Sequence, residues 1–321
     1  MSLCTQAEAS NRACGMATTQ LLAGAALCVV MWGAAAQVPS AAVPEASSAA
    51  APAAAAATAP DAAPARKALR VCQDPNNMPF SNLASEGLEN KLAELFGKAL
   101  GLPVTYYSFP QRLAFIRNTL RYKLPGEDFR CDIVMGVPVG YDQVSVTKPY
   151  YRSTYALVFA QGRGLDEVKS SEDFLKLDRA RLAKLRIGVY DRSPASDWLN
   201  RHQLVDSGVP YQLMNADPQQ YPGEIIEKDL ATGKIDAAIV WGPIAGYFAK
   251  RVKSPLLQVV PLKSEPGIKF DYQMAMGVRY GEREWKQQVE GLLESRQAEI
   301  QQILKDFGVP VVDASFEARK N

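Results

Sequence analysis

The chain has 321 residues, with 36 Lys and Arg against 34 Asp and Glu, a net charge of +2. No block of basic residues stands out, so a nucleic-acid partner is not expected. The single histidine, His202, excludes multi-histidine metal sites and is the only possible base for Ser-His-Asp or Cys-His catalysis. It follows Trp198 and Leu199 at helical spacing, which favours a helix-face residue. We therefore expect no metal site and no bound cofactor.

Residues 1–36 are predicted to be a cleavable secretion signal. Arg12 supplies the positive flank, and Ala34–Ala36 supplies a small-residue cleavage site. The apolar run Leu21–Trp32 is too short to span a bilayer, which needs about 20 apolar residues, although a membrane anchor is the alternative. Residues 37–66 are almost all Ala, Pro and Ser and are predicted to be a disordered linker. We expect a periplasmic protein that is not stably inserted in a membrane after cleavage.

From residue 67 onwards, short apolar strands alternate with helices, which predicts an α/β fold. The predicted strands are Leu69–Cys72, Val104–Ser108, Ile133–Met135, Leu185–Tyr190, Val209–Leu213, Ile235–Val240, Leu257–Pro261 and Tyr272–Val278. Helices are predicted over Leu88–Ala99, Phe115–Leu120, Ser171–Leu177, from Pro194, over Glu224–Thr232 and Ile244–Lys250, and as one long helix across Trp285–Phe307.

The strand–helix pattern restarts after Gly164, and the chain crosses near Ala156–Gly162 and again near Pro261–Asp271. This indicates two lobes with two hinge crossovers and a cleft between them. Lobe 1 is predicted to comprise residues 67–160 and 271–316, and lobe 2 residues 161–270, with Gly162 and Gly164 as candidate hinge residues. One long doubly wound sheet is the alternative.

A ligand in an open α/β sheet binds beyond the carboxyl ends of the strands. The loop after the first strand is rich in Asn and Pro, and a dense aromatic and polar group follows the third strand, which Gly136 and Pro138 should end. The alternative for Tyr150–Tyr155 is that they pack a seam between domains. The residues predicted to line the cleft are Asp74, Asn76, Asn77, Phe80, Arg112, Gly136, Tyr141, Asp142, Tyr150, Tyr151, Arg152, Asp191, Ser193 and Trp241.

Of five cysteines, only Cys72 and Cys131 lie beyond the leader, each at a strand that we expect to be adjacent to the other. An exported protein with two such cysteines favours a disulfide. Cys72 could nevertheless lie too far along its strand to meet the distance limit, so the pairing stays open.

Over about Ala68 to Pro310 the chain resembles the type II periplasmic solute-binding proteins. The motifs that carry this resemblance are Arg70-Val71-Cys72, Pro79-Phe80, Cys131–Gly136 and Pro149-Tyr150-Tyr151. More narrowly, it is similar to the J accessory proteins of methanol dehydrogenase clusters (MxaJ/XoxJ-like), through Asp74–Asn82, Met135–Asp142, Pro149–Tyr155 and Val240–Pro243. The resemblance implies a two-lobe periplasmic binding protein type II fold and a pyrroloquinoline-quinone (PQQ)-dependent methanol dehydrogenase as partner.

The chain departs from the wider family at both ends of its amino-acid clamp. Amino-acid-binding relatives place an arginine after the third strand, where it grips a carboxylate, but the loop Gly140–Ser145 has no arginine. They also place an aspartate after the last strand of the second lobe, where this chain has Trp241. Arg112 or Arg152 could replace the lost cation, or each could form a salt bridge that contributes little. Free amino acids are therefore not expected to bind.

Three functions follow from these residues. The first is an accessory protein that associates with the dehydrogenase and aids its maturation or activity. The second is a substrate-binding protein of an ABC transporter for a small uncharged or aromatic solute. The third is an enzyme, for which Asp74, Glu86, Asp142 and Asp191 are candidate acids or bases without a recognisable partner. We favour the first and do not expect an enzyme.

Overall fold

The computed structural model describes residues 66–111, 114–213, 217 and 219–318. The predicted signal, nearly all of the predicted linker and the predicted site residue Arg112 lie outside the described residues. None of the helices in the described ranges combines the length and apolarity that a membrane-spanning helix requires.

Twelve strands are present in the described part of the chain. In order they are β1 (Leu69–Gln73), β2 (Asn76–Asn77), β3 (Ser81–Asn82), β4 (Val104–Ser108), β5 (Ile133–Pro138), β6 (Ser145–Val146), β7 (Tyr151–Ala160), β8 (Ile187–Tyr190), β9 (Gly208–Tyr211), β10 (Ala237–Trp241), β11 (Leu257–Pro261) and β12 (Asp271–Val278). Each of the eight predicted strands is confirmed, with shifts of a few residues at their ends, whereas β7 was predicted only as a crossing between the lobes.

Eight α-helices lie in the described part of the chain. They are α1 (Leu88–Leu100), α2 (Phe115–Asn118), α3 (Ser171–Leu175), α4 (Arg179–Leu182), α5 (Pro194–Arg201), α6 (Gly242–Arg251), α7 (Arg283–Ser295) and α8 (Gln297–Asp306), with 3-10 turns at Val205–Ser207 and Ala314–Phe316 and a π-helical segment at Ile225–Leu230. Gly101 ends α1 in the left-handed conformation that glycine adopts without a Cβ penalty, as predicted.

The principal sheet has the strand order β4-β1-β5-β12-β7-β10-β8-β9. Strand β7 joins its two halves, because Tyr151–Thr154 pair with β12 while Tyr155–Ala160 pair with β10 and β11. The fold is therefore the predicted two-lobe α/β fold. Below, lobe 1 means β1–β6, β12, α1, α2, α7 and α8, lobe 2 means β8–β11 and α3–α6, and we propose that the boundary falls inside β7, after Thr154.

Two predictions about individual elements are wrong. The long C-terminal helix is two helices, because Arg296 leaves the helical conformation (φ −116°, ψ 21°). Strand β5 continues through Gly136 and Pro138, since β12 pairs with it there and β1 pairs only with Ile133 and Val134. The missing N–H of Pro138 is tolerated where one side of a strand is unpaired.

Cys72 and Cys131 are joined by a disulfide. Their Cα atoms lie 5.3 Å apart, so the neighbouring strands β1 and β5 bring them within the distance that the sequence left open. Both cysteines are buried with Phe115, Ile116 and Leu120, on the face of the lobe 1 sheet that α2 covers.

Candidate functional site

A cavity of about 900 Å³ lies between the lobes, and we call it the cleft. Its lobe 1 wall is the loop that follows β1, its floor is formed where β7 and β10 meet, and its lobe 2 wall follows β8 and β9. The main lining residues are Asp74, Asn76, Asn77, Phe80, Gln111, Tyr155, Tyr190, Tyr211, Tyr221, Lys228, Asp229 and Trp241. The cleft therefore lies where a ligand site is expected in this class of sheet.

The lobe 1 wall is held in shape by Asp74. Its carboxylate accepts hydrogen bonds from the backbone N–H groups of Asn76 (2.8 Å) and Gln111. The hydroxyl of Ser81 donates to the Asp74 carbonyl at 2.9 Å, and the side chain of Asn77 donates to Gln111 at 2.6 Å. Because one carboxylate ties two loops together, its role here is structural.

Trp241 forms the floor together with Tyr155. Trp241 is the last residue of β10 and immediately precedes α6. Its ring lies 5.6 Å from that of Tyr155 and 5.7 Å from that of Tyr272, both edge-on. A Cβ at Gly242 would lie 2.3 Å from the carbonyl oxygen of Thr154, so the backbone passes too close to β7 for any other residue. The strand therefore ends with its indole in the cleft, as the sequence predicts.

Tyr155 is the most enclosed ring of the floor. Burial, with a smaller contribution from Tyr272, raises the pKa of its hydroxyl well above the usual value, so this group stays protonated. Among the described residues the hydroxyl has no hydrogen-bond partner, yet it is not sealed from solvent. It is an available donor at the base of the cleft.

The lobe 2 wall carries three tyrosines whose hydroxyls are already engaged. Tyr190 donates to the carbonyl of Pro222 at 2.7 Å, Tyr211 donates to Asp229, and Tyr221 donates to Glu227 at 2.8 Å. Their rings, rather than their hydroxyls, are what a ligand would meet.

The charged side chains of this wall are paired with each other. Lys234 contacts Asp229 at 3.0 Å, and Lys228 contacts Glu224 at 2.8 Å. The π-helical segment Ile225–Leu230 carries Lys228 and Asp229, and π-helical turns often occur at functional sites. In the part of the cleft that the structure describes, the lining thus combines aromatic faces, side-chain amides and the unbonded hydroxyl of Tyr155, which suits an uncharged occupant.

Of the predicted site residues, five line the cleft together: Asp74, Asn76, Asn77, Phe80 and Trp241. Tyr150 and Tyr151 do not. Both are buried in the lobe 1 core, and the Tyr150 hydroxyl donates to the carbonyl of Met135 at 2.8 Å. Their density in the sequence reflects core packing beside α7 and α8, which corrects the prediction that they face a ligand.

Arg152 points away from the cleft, into a separate cavity of about 540 Å³ that we call the rear cavity. Its guanidinium contacts Asp271 at 2.7 Å and Glu317 at 2.5 Å. Arg152 is not among the residues that line the cleft. The predicted replacement of the missing ligand-binding arginine by Arg152 is therefore wrong for this cleft.

Tyr141 and Asp142 also lie elsewhere. Tyr141 packs beside the disulfide cluster, while Asp142 is exposed and accepts a hydrogen bond from Tyr280 through its carbonyl. On lobe 2, Asp191 accepts from the N–H of Leu213 at 2.8 Å, and the buried hydroxyl of Ser193 donates to the carbonyl of Tyr190 at 2.6 Å instead of capping α5. These four residues hold loops in place.

Gly136 has a role that the sequence did not reveal. A Cβ at this position would lie 2.3 Å from Oε1 of Glu89, a half-buried residue in the first turn of α1. No cation of the described chain pairs with Glu89. Burial, with a smaller contribution from Asp74, raises the pKa of the Glu89 carboxyl to about 7. Glu89, Tyr190, Tyr211 and Tyr221 are the notable residues that sequence reasoning missed.

The candidate acids and bases are not assembled into a catalytic group. Asp74 and Asp191 each accept hydrogen bonds from backbone N–H groups that tie two loops together. Glu86 is exposed and bonded to Asn82, and Asp142 is exposed on another surface. Within the described ranges, no group of three or more His, Cys, Asp or Glu side chains is arranged to hold a metal ion.

No model of a protein family matches the chain. A solved structure of the periplasmic binding protein XoxJ from Methylobacterium extorquens AM1 is 35% identical and matches 76% of this chain and 99% of its own, with a TM-score of 0.61. The protein MoxJ of Methylorubrum extorquens AM1 is 29% identical over 265 residues, 78% of this chain and 84% of that protein. The structure of MxaJ from Methlophaga aminisulfidivorans MPT, 23% identical over 76% of this chain and all of its own, shares the fold with a TM-score of 0.63.

Proposed function

Since this chain belongs to the family of XoxJ, a periplasmic binding protein, we propose that it is a periplasmic accessory protein of a PQQ-dependent methanol dehydrogenase. In this proposal it associates with the dehydrogenase and aids its maturation or activity, without being an enzyme itself. The support from sequence is the similarity of four segments to the J accessory proteins, three of which contribute residues to the cleft.

The observation that carries the proposal is the chemistry of the cleft. Phe80, Tyr155 and Trp241 present rings from the first wall and the floor, and the charged groups of the lobe 2 wall are paired within the wall. Aromatic residues with open faces are the usual anchors of protein–protein contacts. Among the described residues that line the cleft, Lys228 and Lys234 are paired with Glu224 and Asp229, so no unpaired cation meets the carboxylate of a free amino acid, whereas an apolar segment of a partner would contact the rings.

Affinity isolation from the native periplasm tests the proposal. The tagged protein is expected to retain the dehydrogenase, and Phe80→Ala is expected to reduce the yield because it removes a ring from the cleft wall. Tyr280→Ala is the matched control, since Tyr280 is 61% exposed and lies outside the cleft. Loss of retention in the control alone, or no retained dehydrogenase at all, would refute the proposal.

One observation favours a second function. The free hydroxyl of Tyr155 at the cleft floor is the kind of single polar group that fixes a small uncharged ligand in an apolar site. A transport receptor would gain thermal stability with its solute by mass action. A screen of small uncharged organic compounds by melting temperature separates this function from the first.

A further inference from the structure

A third stretch of chain, besides β7 and the segment leading into β12, crosses from lobe 1 to lobe 2. Residues 307–317 leave the end of α8 and run across β7, and we call them the strap. Val311 forms an antiparallel bridge with Ser153, and the N–H of Val312 donates to the carbonyl of Arg152 at 3.0 Å. The hydroxyl of Ser153 donates to the carbonyl of Pro310 at 2.8 Å. The strap is thus bonded along the hinge strand.

The beginning of the strap is packed directly against α6 of lobe 2. A Cβ at Gly246 would lie 1.8 Å from the carbonyl oxygen of Gly308, so the two backbones are in contact. The rings of Tyr247 and Phe307 stack at 5.6 Å. Lys250 donates to the carbonyl of Asp306 at 2.8 Å. Contact this close leaves no room for the two segments to slide past each other.

The far end of the strap contacts the second crossing, the segment between β11 and β12. The N–H of Ser264 donates to the carbonyl of Phe316 at 2.9 Å, and the ammonium of Lys263 lies 5.8 Å from the Phe316 ring. Glu317 pairs with Arg152, which also contacts the buried carboxylate of Asp271. The strap is therefore held at both ends as well as along the hinge.

The start of the strap is equally fixed on lobe 1. Ile300 and Leu304 of α8 are fully buried in the lobe 1 core, together with Val309. A rotation of the lobes about β7 would have to separate Gly308 from Gly246 or pull α8 out of that core. Hinge motion in two-lobe proteins is normally absorbed by a few residues of the crossing strands, and here those strands are bonded to the strap.

We infer that the strap holds the angle between the lobes, so that the cleft receives its occupant without closing. This inference rests on the proposed function and deepens it, because a receptor for a small solute must close to enclose it, whereas a segment of a partner polypeptide can lie in an open cleft. Exposed residues at the entrance of the cleft support this inference. Leu83, beside the Asp74 loop, is 72% exposed, and Leu213 on the facing wall is 54% exposed. Exposed leucines on both sides of an open mouth suit an apolar segment of a protein partner.

The test measures the distance between the lobes in the isolated protein. Spin labels are placed at Lys98→Cys on lobe 1 and Lys176→Cys on lobe 2, both exposed, with Cys4, Cys14 and Cys28 replaced by serine. Pulsed electron paramagnetic resonance is expected to give one narrow distribution of the distance between the two labels. A chain ending at Asp306, which lacks the strap, is expected to give a second, longer distance, because its lobes can open.

Two further variants keep the result decisive if the shortened chain does not fold. Phe307→Ala with Tyr247→Ala removes the ring stack between the strap and α6 and is expected to broaden the distribution. Glu299→Gln, which breaks an exposed pair with Arg296 on α8, is the control and should leave it unchanged. Two populations in the parent protein, or an unchanged distribution in the folded strap variants, would overturn the inference. Because no dehydrogenase is present, failure of the proposed partnership would leave this result standing.

Discussion

Two regions of the molecule, the cleft and the base of lobe 1, both hold polar groups beside aromatic rings, but they satisfy them differently. At the base, Asp132 is 1% exposed and receives Arg70 at 2.7 Å, Arg279 at 2.6 Å and Arg66 at 3.0 Å. In the cleft, the Tyr155 hydroxyl has no partner among the described residues. A buried polar group that is fully bonded specifies structure, whereas one left available beside open rings can meet a ligand.

The largest expected effect concerns the base. Asp132→Asn removes the buried carboxylate that three arginines share, and it should lower the free energy of unfolding by about 3–5 kcal/mol, because the buried guanidinium of Arg279 then keeps only Glu282 as a counter-ion. Urea unfolding measures this. The control is Asp236→Asn, which breaks a half-exposed pair with Arg186 and should cost about 1 kcal/mol or less. Equal losses in the two variants would mean that the buried carboxylate of Asp132 contributes no more to stability than a half-exposed ion pair does.

The same carboxylate makes the stability of the protein depend on pH in a defined direction. Burial alone would raise the pKa of Asp132, but hydrogen bonds from Arg70 and Arg279 outweigh it and lower the pKa. Its contribution to stability is therefore present above the ordinary value near 3.8 and is lost as the pH falls through the lowered pKa. Acid unfolding of the Asp132→Asn variant should lack this component.

A pair of tryptophans separates core from cleft. Trp198 is 1% exposed in the lobe 2 core, so Trp198→Ala should cost about 3–5 kcal/mol of stability. Trp241→Ala should cost less stability but weaken capture of the dehydrogenase by about 2 kcal/mol or more, as central aromatic anchors do. Melting temperature and capture yield are measured on the same proteins. A large drop in melting temperature for Trp241→Ala with unchanged capture would make Trp241 a plug and not an anchor.

The sequence predicted the fold well because its signals are local. Gly101 ends α1, and Gly242-Pro243 ends β10 so that Trp241 faces the cleft, both through backbone conformations that neighbouring residues fix. It misplaced Tyr150 and Tyr151 because aromatic density does not say which face of a strand meets the core. The break at Arg296 is invisible to periodicity, since apolar positions continue in register on both sides.

The lobe 2 wall could not be predicted for a related reason. Tyr211 is the last residue of β9 and Tyr221 lies ahead of the π-helical segment, and only the packing of the chain between these elements brings both to the same cavity. Glu89 reads as an ordinary acidic residue in the first turn of a helix, where it is favoured. Its burial depends on Gly136, which is 47 positions away in sequence, and no local pattern records that contact.

Glu89 shares one property with each region. Like Asp132 it is a carboxyl withdrawn from solvent, and like the Tyr155 hydroxyl it lacks a partner, because no cation of the described chain pairs with it. With a pKa of about 7 in the folded protein, it is ionised in the unfolded chain before it is ionised in the folded one. The free energy of unfolding should therefore fall as the pH rises from about 4.5 to about 7. Glu89→Gln should remove about 1–2 kcal/mol of this fall, allowing for solvent screening.

Chemical unfolding across this pH range checks the Glu89 prediction. Near pH 4 the carboxyl is neutral in both states, so the variant and the parent protein should then be equally stable. A variant that is less stable than the parent at pH 8 would mean that Glu89 has a stabilising cationic partner after all, and that it belongs with the base of lobe 1.

The smallest expected effect separates two tyrosines that are only five positions apart. The Tyr150 hydroxyl donates to the buried carbonyl of Met135, so Tyr150→Phe leaves that carbonyl unpaired and should cost about 1–2 kcal/mol of stability without changing capture. The Tyr155 hydroxyl has no such partner, so Tyr155→Phe should change stability by no more than about 0.5 kcal/mol. If an occupant of the cleft accepts a hydrogen bond from the Tyr155 hydroxyl, Tyr155→Phe should weaken capture by about 1 kcal/mol, the usual net value of one such bond.

Unfolding and capture, measured side by side on the two variants, test both the Tyr150 and the Tyr155 prediction. If Tyr155→Phe lowered stability and Tyr150→Phe weakened capture, the hydroxyl available to a ligand would be that of Tyr150, and the proposed difference between the lobe 1 core and the cleft would be wrong.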